Sequence, residues 1–328
     1  MTALPHRIGL VVPTVLVVSA LALAGCSSSN NTEESAPSAG THGYPVDVSS
    51  CAREVTVTDT PSRVVLGYHG TLDTLDALGA SDSVYGYLLG PDDTGTPRGL
   101  PAGLVEVSSD PIPAREPIIA AQPDLFLANN EAQLTGQGTL SYDDLADSGS
   151  NAYVLGAYCA QNPDNATIDT VYTDINNLGR IFNVPDRADN LNNQLRQRVA
   201  AAKQTLNGSA ATVAFLKIYG GKVYAIGGYP AAPVLAALGL NNQFADLSTP
   251  FAELSAEQAV AMTPDVVFVN YVGDEDAAIA AARDALPDVP AVADGRIYGA
   301  DESDAQGGGV GVIEQLEAIA ADVAIANQ

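Results

Sequence analysis

The chain has 328 residues, with 14 Lys and Arg against 39 Asp and Glu, and a formal net charge of −25. That balance argues against nucleic acid and against an electrostatic hold on an anionic membrane, because both need clustered cations. It names no ligand, since a solvated acidic surface is the ordinary reading of such a composition.

The first 25 residues contain Arg7 and no acid, and an apolar run follows over residues 8–24, ending Leu23-Ala24-Gly25-Cys26. A positive start, an apolar middle and small residues at the cut make residues 1–25 a signal peptide. The Leu-Ala-Gly-Cys ending resembles a lipobox, whose cysteine thiol takes a diacylglycerol before cleavage, so Cys26 is expected to be lipidated. The alternative is an uncleaved anchor helix, against which Pro13 and the small residues before Cys26 argue. Residues 26–43 have no buried-face periodicity and read as a flexible tether, with His42 incidental to it. Such a stretch reaches roughly 20–25 Å on average. No second apolar segment is long enough to span a bilayer. The folded part is therefore expected at the outer face of the cytoplasmic membrane, held there by lipid alone. With Cys26 set aside, Cys51 and Cys159 remain, either as a disulfide in an oxidising compartment or as two buried thiols. A bridge closing so long a loop contributes roughly 4–5 kcal/mol in the chain-entropy model.

From Tyr44 onward, short β-branched runs alternate with helical stretches. Residues 63–67 predict a strand, 71–78 the helix after it, and 84–87 a second strand. Residues 116–121 are helical, Pro123 breaks that helix, and 124–128 form a buried strand. A helix over 142–147 precedes a strand over 152–155. This alternation predicts α/β units around a mainly parallel sheet. Two adjacent helices follow, over 167–182 and 187–206. In the second, Ala188, Leu191, Leu195, Val199, Ala202 and Leu206 fall three or four apart and make one apolar face. Asp186 is the expected cap at its start and Gly208 the expected stop. At that length it spans roughly 30 Å. The alternation then restarts, with strands over 211–216, 222–226, 266–270 and 296–298.

Two pieces of the second half echo the first in the same order. Leu75-Asp76-Ala77-Leu78-Gly79 matches Leu235-Ala236-Ala237-Leu238-Gly239, and 118–128, with its Gln-Pro-Asp, matches 259–269, with its Thr-Pro-Asp. The expected organisation is an α/β fold of two lobes, 44–185 and 208–328, joined by one long helix over 186–207. A cleft between the lobes is the expected ligand site.

Catalysis has little to work with. Beyond the tether His69 is the one histidine, and the chain has no Gly-x-Ser-x-Gly elbow and no phosphate-binding loop ending in Lys-Ser or Lys-Thr. A protein-ligated zinc or manganese needs several imidazoles or thiolates, so no metal site and no resident cofactor are expected. The Gly220-Gly221 and Gly227-Gly228 pairs read as turns, and the acidic run Asp274-Glu275-Asp276 as a solvated helix start. What remains is aromatic: 13 Tyr, 6 Phe and no Trp. Tyr68, Tyr87, Tyr219, Tyr224, Tyr229 and Tyr271 stand at predicted strand ends, where open α/β sheets bind ligands. A tyrosine offers an apolar face and a hydroxyl, which suits a bulky, partly polar small molecule. Packing against the sheets alone is the plain alternative for each.

Tyr44-Pro45-Val46, Cys51-Ala52-Arg53-Glu54-Val55-Thr56-Val57 and Pro61-Ser62-Arg63-Val64-Val65 resemble the opening of iron-siderophore substrate-binding lipoproteins of ABC importers. Residues 72–79, Asp174-Ile175-Asn176-Asn177-Leu178-Gly179-Arg180-Ile181-Phe182, Pro290-Ala291-Val292, Gly295-Arg296 and the closing helix from Val310 are similar to that family's later segments. The resemblance implies the class III periplasmic-binding-protein fold: two α/β lobes, one rigid connecting helix and modest closure on ligand. It implies a monomer serving a permease dimer, with Glu116 and Glu257 meeting permease arginines, and a Cys51–Cys159 disulfide. It implies a non-catalytic receptor binding a ferric siderophore, its iron already chelated, through Tyr68, His69, Tyr87, Arg98, Asn129, Tyr219, Tyr229 and Tyr271. The shortage of cations near the cleft, where Arg98, Lys217 and Lys222 are the candidates, leaves hydroxamate or mixed siderophores or a corrinoid open. Cobalamin or haem is the alternative within the family, haem with a tyrosine or His69 as axial ligand. An exported hydrolase built on His69, or a ligand-free envelope scaffold, is the alternative outside it.

Overall fold

The computed structural model describes residues 43–90, 93, 99–159, 166–247, 249 and 251–327; residues 1–42, with Cys26, and Arg98 lie outside that set. The described residues fall in one unit, Gly40–Gln328. The chain enters through an antiparallel hairpin, β1 (Val46–Ser50) and β2 (Arg53–Val57). No strand is predicted there, yet the signal exists: Val48, Val55 and Val57 are buried and alternate with exposed neighbours, a period of two.

The first sheet is wholly parallel. Its strands are β3 (Val64–Leu66), β4 (Val84–Leu88), β5 (Val105–Ser108), β6 (Leu125–Ala128) and β7 (Asn151–Val154), in the order β5-β4-β3-β6-β7. The helices between them are α1 (Leu72–Leu78), α2 (Arg115–Ala121) and α3 (Tyr142–Asp147). The order reverses between β3 and β6, the place where such sheets open a crevice beyond their carboxyl ends. The free edge of β7 is covered by Ser50, whose hydroxyl accepts from the Val154 N–H at 2.8 Å and donates to its carbonyl at 3.0 Å.

Next come α4 (Ile168–Ile181) and α5 (Pro185–Thr205). The long helix starts earlier than predicted. Pro185 occupies its first turn, Val184 is the flanking residue, and Asp186 caps nothing. Proline fits there because its missing N–H would have had no partner. Asp186 instead places a charge in the first turn, which the helix dipole favours. The helix stops at Thr205, three residues short of Gly208.

The second sheet is mixed. It contains β8 (Thr212–Tyr219), β9 (Lys222–Ile226), β10 (Asn241–Asn242), β11 (Phe251–Glu253), β12 (Val266–Tyr271) and β13 (Ile297–Asp301). The order is β11-β9-β8-β12-β13, with β10 also beside β8. β9 pairs antiparallel with β8 and β11, and the other pairs are parallel. Its helices are α6 (Ala231–Leu238), α7 (Ala256–Val260), α8 (Glu275–Ala285), α9 (Pro290–Ala293), α10 (Glu302–Gln306) and α11 (Gly309–Ala326).

The repeat read from sequence is physical. α1 and α6 both end on a left-handed glycine, Gly79 (φ 67°) and Gly239 (φ 78°). In each, the next N–H returns to the carbonyl five residues back: Ala80 to Leu75 at 2.8 Å, Leu240 to Leu235 at 2.9 Å. This is one helix stop used twice. The Pro-Asp motifs are also equivalent. Asp124 accepts from the Ser62 and Arg63 N–H groups, at 2.7 and 3.0 Å, and Asp265 from the Thr212 N–H at 2.7 Å. Each carboxylate fastens the start of the neighbouring parallel strand.

Strand alternation divides the core. Val64, Leu66, Leu125 and Leu127 of the first sheet share one hydrophobic cluster with Val213, Phe215, Val266 and Phe268 of the second. Ala188 and Leu195 of α5 and Val312 and Leu316 of α11 belong to it too. The intervening residues, Val65, Phe126 and Ala128 on one sheet and Ala214, Leu216, Val267 and Val269 on the other, line two separate outer clusters. A helical layer that both sheets bury into resists independent motion of the lobes, because close-packed interiors shift only in discrete steps.

Candidate functional site

The loops beyond the carboxyl ends of the two sheets meet. After β3, Tyr68 is extended and a short 3-10 turn, His69–Thr71, leads into α1. The Tyr68 ring lies 4.3 Å from the His69 ring, and its hydroxyl is hydrogen-bonded to the Ser303 side chain of α10. Gly70 and Gly307 pack backbone to backbone: a Cβ on Gly307 would collide with the Gly70 carbonyl carbon, and one on Gly70 would fall 2.9 Å from the Ser303 carbonyl oxygen. Across the same junction the Val310 N–H donates to the Thr74 hydroxyl at 3.1 Å. Beyond β7, Tyr158 meets Tyr229, from the loop after β9, edge to face at 4.7 Å. Four contacts thus bridge the sheets, and tyrosines make two of them.

Charge is arranged around them. His69 is buried, and its Nε2 donates to Asp93 Oδ2 at 2.9 Å, which also accepts the Gly90 N–H at 2.6 Å. Burial outweighs the attraction of Asp93 and holds the imidazole below its ordinary range, so it is neutral at pH 7. Lys217, near the end of β8, pairs with Glu302 at 2.6 Å, and Gln306 donates to the same carboxylate. Burial raises the hydroxyls of Tyr68, Tyr158 and Tyr229 above their usual range, which keeps them protonated donors.

Several buried polar atoms have no hydrogen-bond partner: Thr71 Oγ1, Gln133 Oε1, Asn192 Oδ1, Tyr229 Oη, Asn270 Oδ1 and Gln315 Oε1. All but Asn192 belong to segments at or packed against the carboxyl ends of the strands. Leaving such groups unpaired costs about 1–3 kcal/mol each, and groups this enclosed are ordinarily satisfied by buried water. A cavity of about 490 Å³ adjoins Tyr229, walled by Gly228, Ala232, Asn242, Phe244 and Ala166. Tyr229 is the one tyrosine among the described residues that line it.

The predicted site residues divide into groups. Tyr68, His69 and Tyr87 cluster, with Tyr87 edge-on to His69 at 6.4 Å. Asn129 follows β6 and Tyr271 ends β12, both half-buried. Tyr229 packs on Tyr158 and lines the cavity. Tyr219 is not gathered with the others: it flanks the Gly220-Gly221 turn at the tip of the β8–β9 hairpin, 62% exposed. Glu116 and Glu257 are exposed in the first turns of α2 and α7, the helices that precede the two Pro-Asp motifs. Cys51 and Cys159 are bonded, tying the β1–β2 turn to the loop after β7. Tyr158, Asp93, Glu302 and Ser303 were missed. The signal available for them was position alone, since each follows or ends a strand. Among the described residues no group of three or more His, Cys, Asp or Glu is placed to hold a metal ion, and no helix is long and apolar enough to cross a membrane.

Beneath Tyr158 lies a buried carboxylate. Asp174 accepts from the Tyr153 hydroxyl at 2.7 Å and from the Gly156 N–H at 3.0 Å, holding the turn that carries Tyr158. Desolvation pushes its pKa from the ordinary 3.8 up to about 7. A raised folded-state pKa means that its contribution to stability is full below about 3.8 and is lost as pH rises through about 7. Thermal midpoints should therefore fall as pH rises over this range. Asp174→Asn should flatten that slope, leaving a remnant from Asp322, which burial pushes up to about 6, and from Asp73 and Glu314, which burial also raises, opposed by His69, which burial lowers. An unchanged slope in the variant would show that Asp174 is not the group responsible.

A family described as periplasmic binding protein matches residues 64–303. Among solved structures, the chain is similar to the ABC-type Fe3+-hydroxamate transport system protein from Saccharomonospora viridis. The two are 29% identical with a TM-score of 0.70, over 85% of this chain and 99% of that one. It is similar in fold to the petrobactin-binding protein from Bacillus subtilis, at 19% identity and a TM-score of 0.65, over 86% and 98%. The periplasmic haem-binding protein of Vibrio cholerae shares the fold at 20% identity and 0.63, over 79% and 97%. No curated protein gives a significant match.

Proposed function

The chain belongs to the periplasmic binding protein family, and we propose that it is an extracytoplasmic receptor that captures a ferric siderophore between its lobes for an ABC-importer permease. The observation that carries this reading is the meeting of aromatic and polar side chains from the loops of both sheets: Tyr68 with Ser303 beyond the carboxyl ends of β3 and β13, and Tyr158 with Tyr229, which follows the antiparallel β9. The similar proteins named for Fe3+-hydroxamate and petrobactin support the same ligand class. Iron arrives chelated, so the protein needs no metal ligands of its own. Glu116 and Glu257 are the proposed contacts to the permease, one from each repeat, and Cys26 the proposed lipid anchor.

Thirteen tyrosines and no tryptophan make tyrosine emission the reporter. A ferric siderophore should quench it saturably at micromolar concentration; no quenching by any ferric siderophore tried sinks the receptor reading. Quenching by haem or cobalamin alone replaces the ligand and keeps the fold's role. The Glu116→Arg, Glu257→Arg pair should bind as the parent does yet support no uptake in cells. Cys26→Ala should bind ligand and lose membrane association. Loss of binding in either variant would contradict the assigned separation of docking and anchoring from the cleft.

A further inference from the structure

Resting on the receptor reading of this cleft, we propose that its ligand is a neutral or cationic ferric chelate of the hydroxamate class, and that polyanionic chelates are selected against. The electrostatic surroundings of Tyr68 carry the argument. Its ring lies 4.3 Å from that of His69, which is bonded to Asp93 at 2.9 Å. Its hydroxyl bonds Ser303, which follows Glu302 in the chain and whose N–H donates to Asp301 at 2.9 Å. The described cation beside them is Lys217, already paired with Glu302 at 2.6 Å. His69 adds no charge at pH 7, since burial holds it neutral. The site is therefore three carboxylates against one ammonium among the described residues.

The donors are neutral as well. Tyr68, Tyr158 and Tyr229 offer protonated hydroxyls and apolar ring faces, and the Tyr229 hydroxyl is buried without a protein partner. Three hydroxamates, each bearing one negative charge, neutralise Fe(III). Their oxygens accept hydrogen bonds from hydroxyls, and their alkyl chains pack on rings. A pendant amine would make the complex cationic and suit Asp93 or Asp301. Three catecholates, each bearing two charges, leave a trianion, and haem brings two propionates. Bringing such anions beside half-buried carboxylates is repulsive, more so because a site partly shielded from water screens charge weakly.

Binding of four chelates to the purified protein by tyrosine quenching tests this: ferric desferrioxamine B (cationic), ferrichrome (neutral), ferric enterobactin (trianionic) and haem. The hydroxamate complexes should bind at least about 100-fold more tightly than the catecholate. Glu302→Gln and, separately, Asp93→Asn should narrow that gap by about tenfold each, and added salt should narrow it in the parent. Two variants on different loops guard against one that fails to fold. Equal or tighter binding of the trianion overturns the charge inference and leaves the receptor reading standing. Binding by none of the chelates overturns both.

Discussion

Replacing Cys51 and Cys159 together by alanine is expected to lower the unfolding free energy by about 4–5 kcal/mol. The two cysteines are 108 residues apart in sequence, so their bond removes a large amount of loop freedom from the unfolded chain. The double substitution avoids a free thiol that would confuse the comparison. What the bond joins matters as much as its length. It ties the β1–β2 turn to the loop after β7, next to Tyr158, while Asp174 grips the same turn from below. Loss of the bond should therefore weaken ligand binding as well as stability. Urea unfolding followed by far-ultraviolet circular dichroism measures the first effect. A change under about 1 kcal/mol would mean that the loop is already ordered in the unfolded ensemble and that the entropic account fails.

The second large effect belongs to the pair that bridges the lobes. Truncating a buried aromatic anchor typically costs about 2 kcal/mol or more. Because Tyr158 and Tyr229 touch, their losses should not simply add. Tyr158→Ala with Tyr229→Ala is expected to weaken siderophore binding by about 100-fold, with the thermal midpoint reporting whether the fold survives. Tyr229→Phe is the sharper variant. It removes a buried hydroxyl that has no protein partner, so it should stabilise the free protein by about 1 kcal/mol. Affinity should fall at the same time, if that hydroxyl bonds the ligand. A phenylalanine variant with unchanged affinity would remove Tyr229 Oη from the recognition set, leaving its ring.

Most of the scaffold was legible because its signals are local. A Pro-Asp pair before a short apolar run gave β6 and β12, and Leu-Gly endings gave the stops of α1 and α6. The β1–β2 hairpin, β5, β10 and β11 are short and half-exposed, so their patterning is weak against the background of a polar surface. The site was legible only in part. Tyr68, His69 and Tyr229 could be aimed at the cleft because they follow strands. Tyr219 was aimed there on the same rule, but β8 and β9 form a tight hairpin that carries its tip out to solvent. Tyr68 with Ser303 and Tyr158 with Tyr229 pair across the two repeats. No periodicity in one segment can announce a partner supplied by the other lobe.

The central claim is that a ferric chelate sits between the two sheets, and the iron itself can be located. Crystals of the protein grown with a ferric hydroxamate should give an anomalous peak at the iron edge inside the crevice bounded by Tyr68, Tyr158 and Tyr229. A peak confined to the cavity beside Gly228 and Phe244, or to the outer surface, in crystals where iron is bound stoichiometrically, would contradict it.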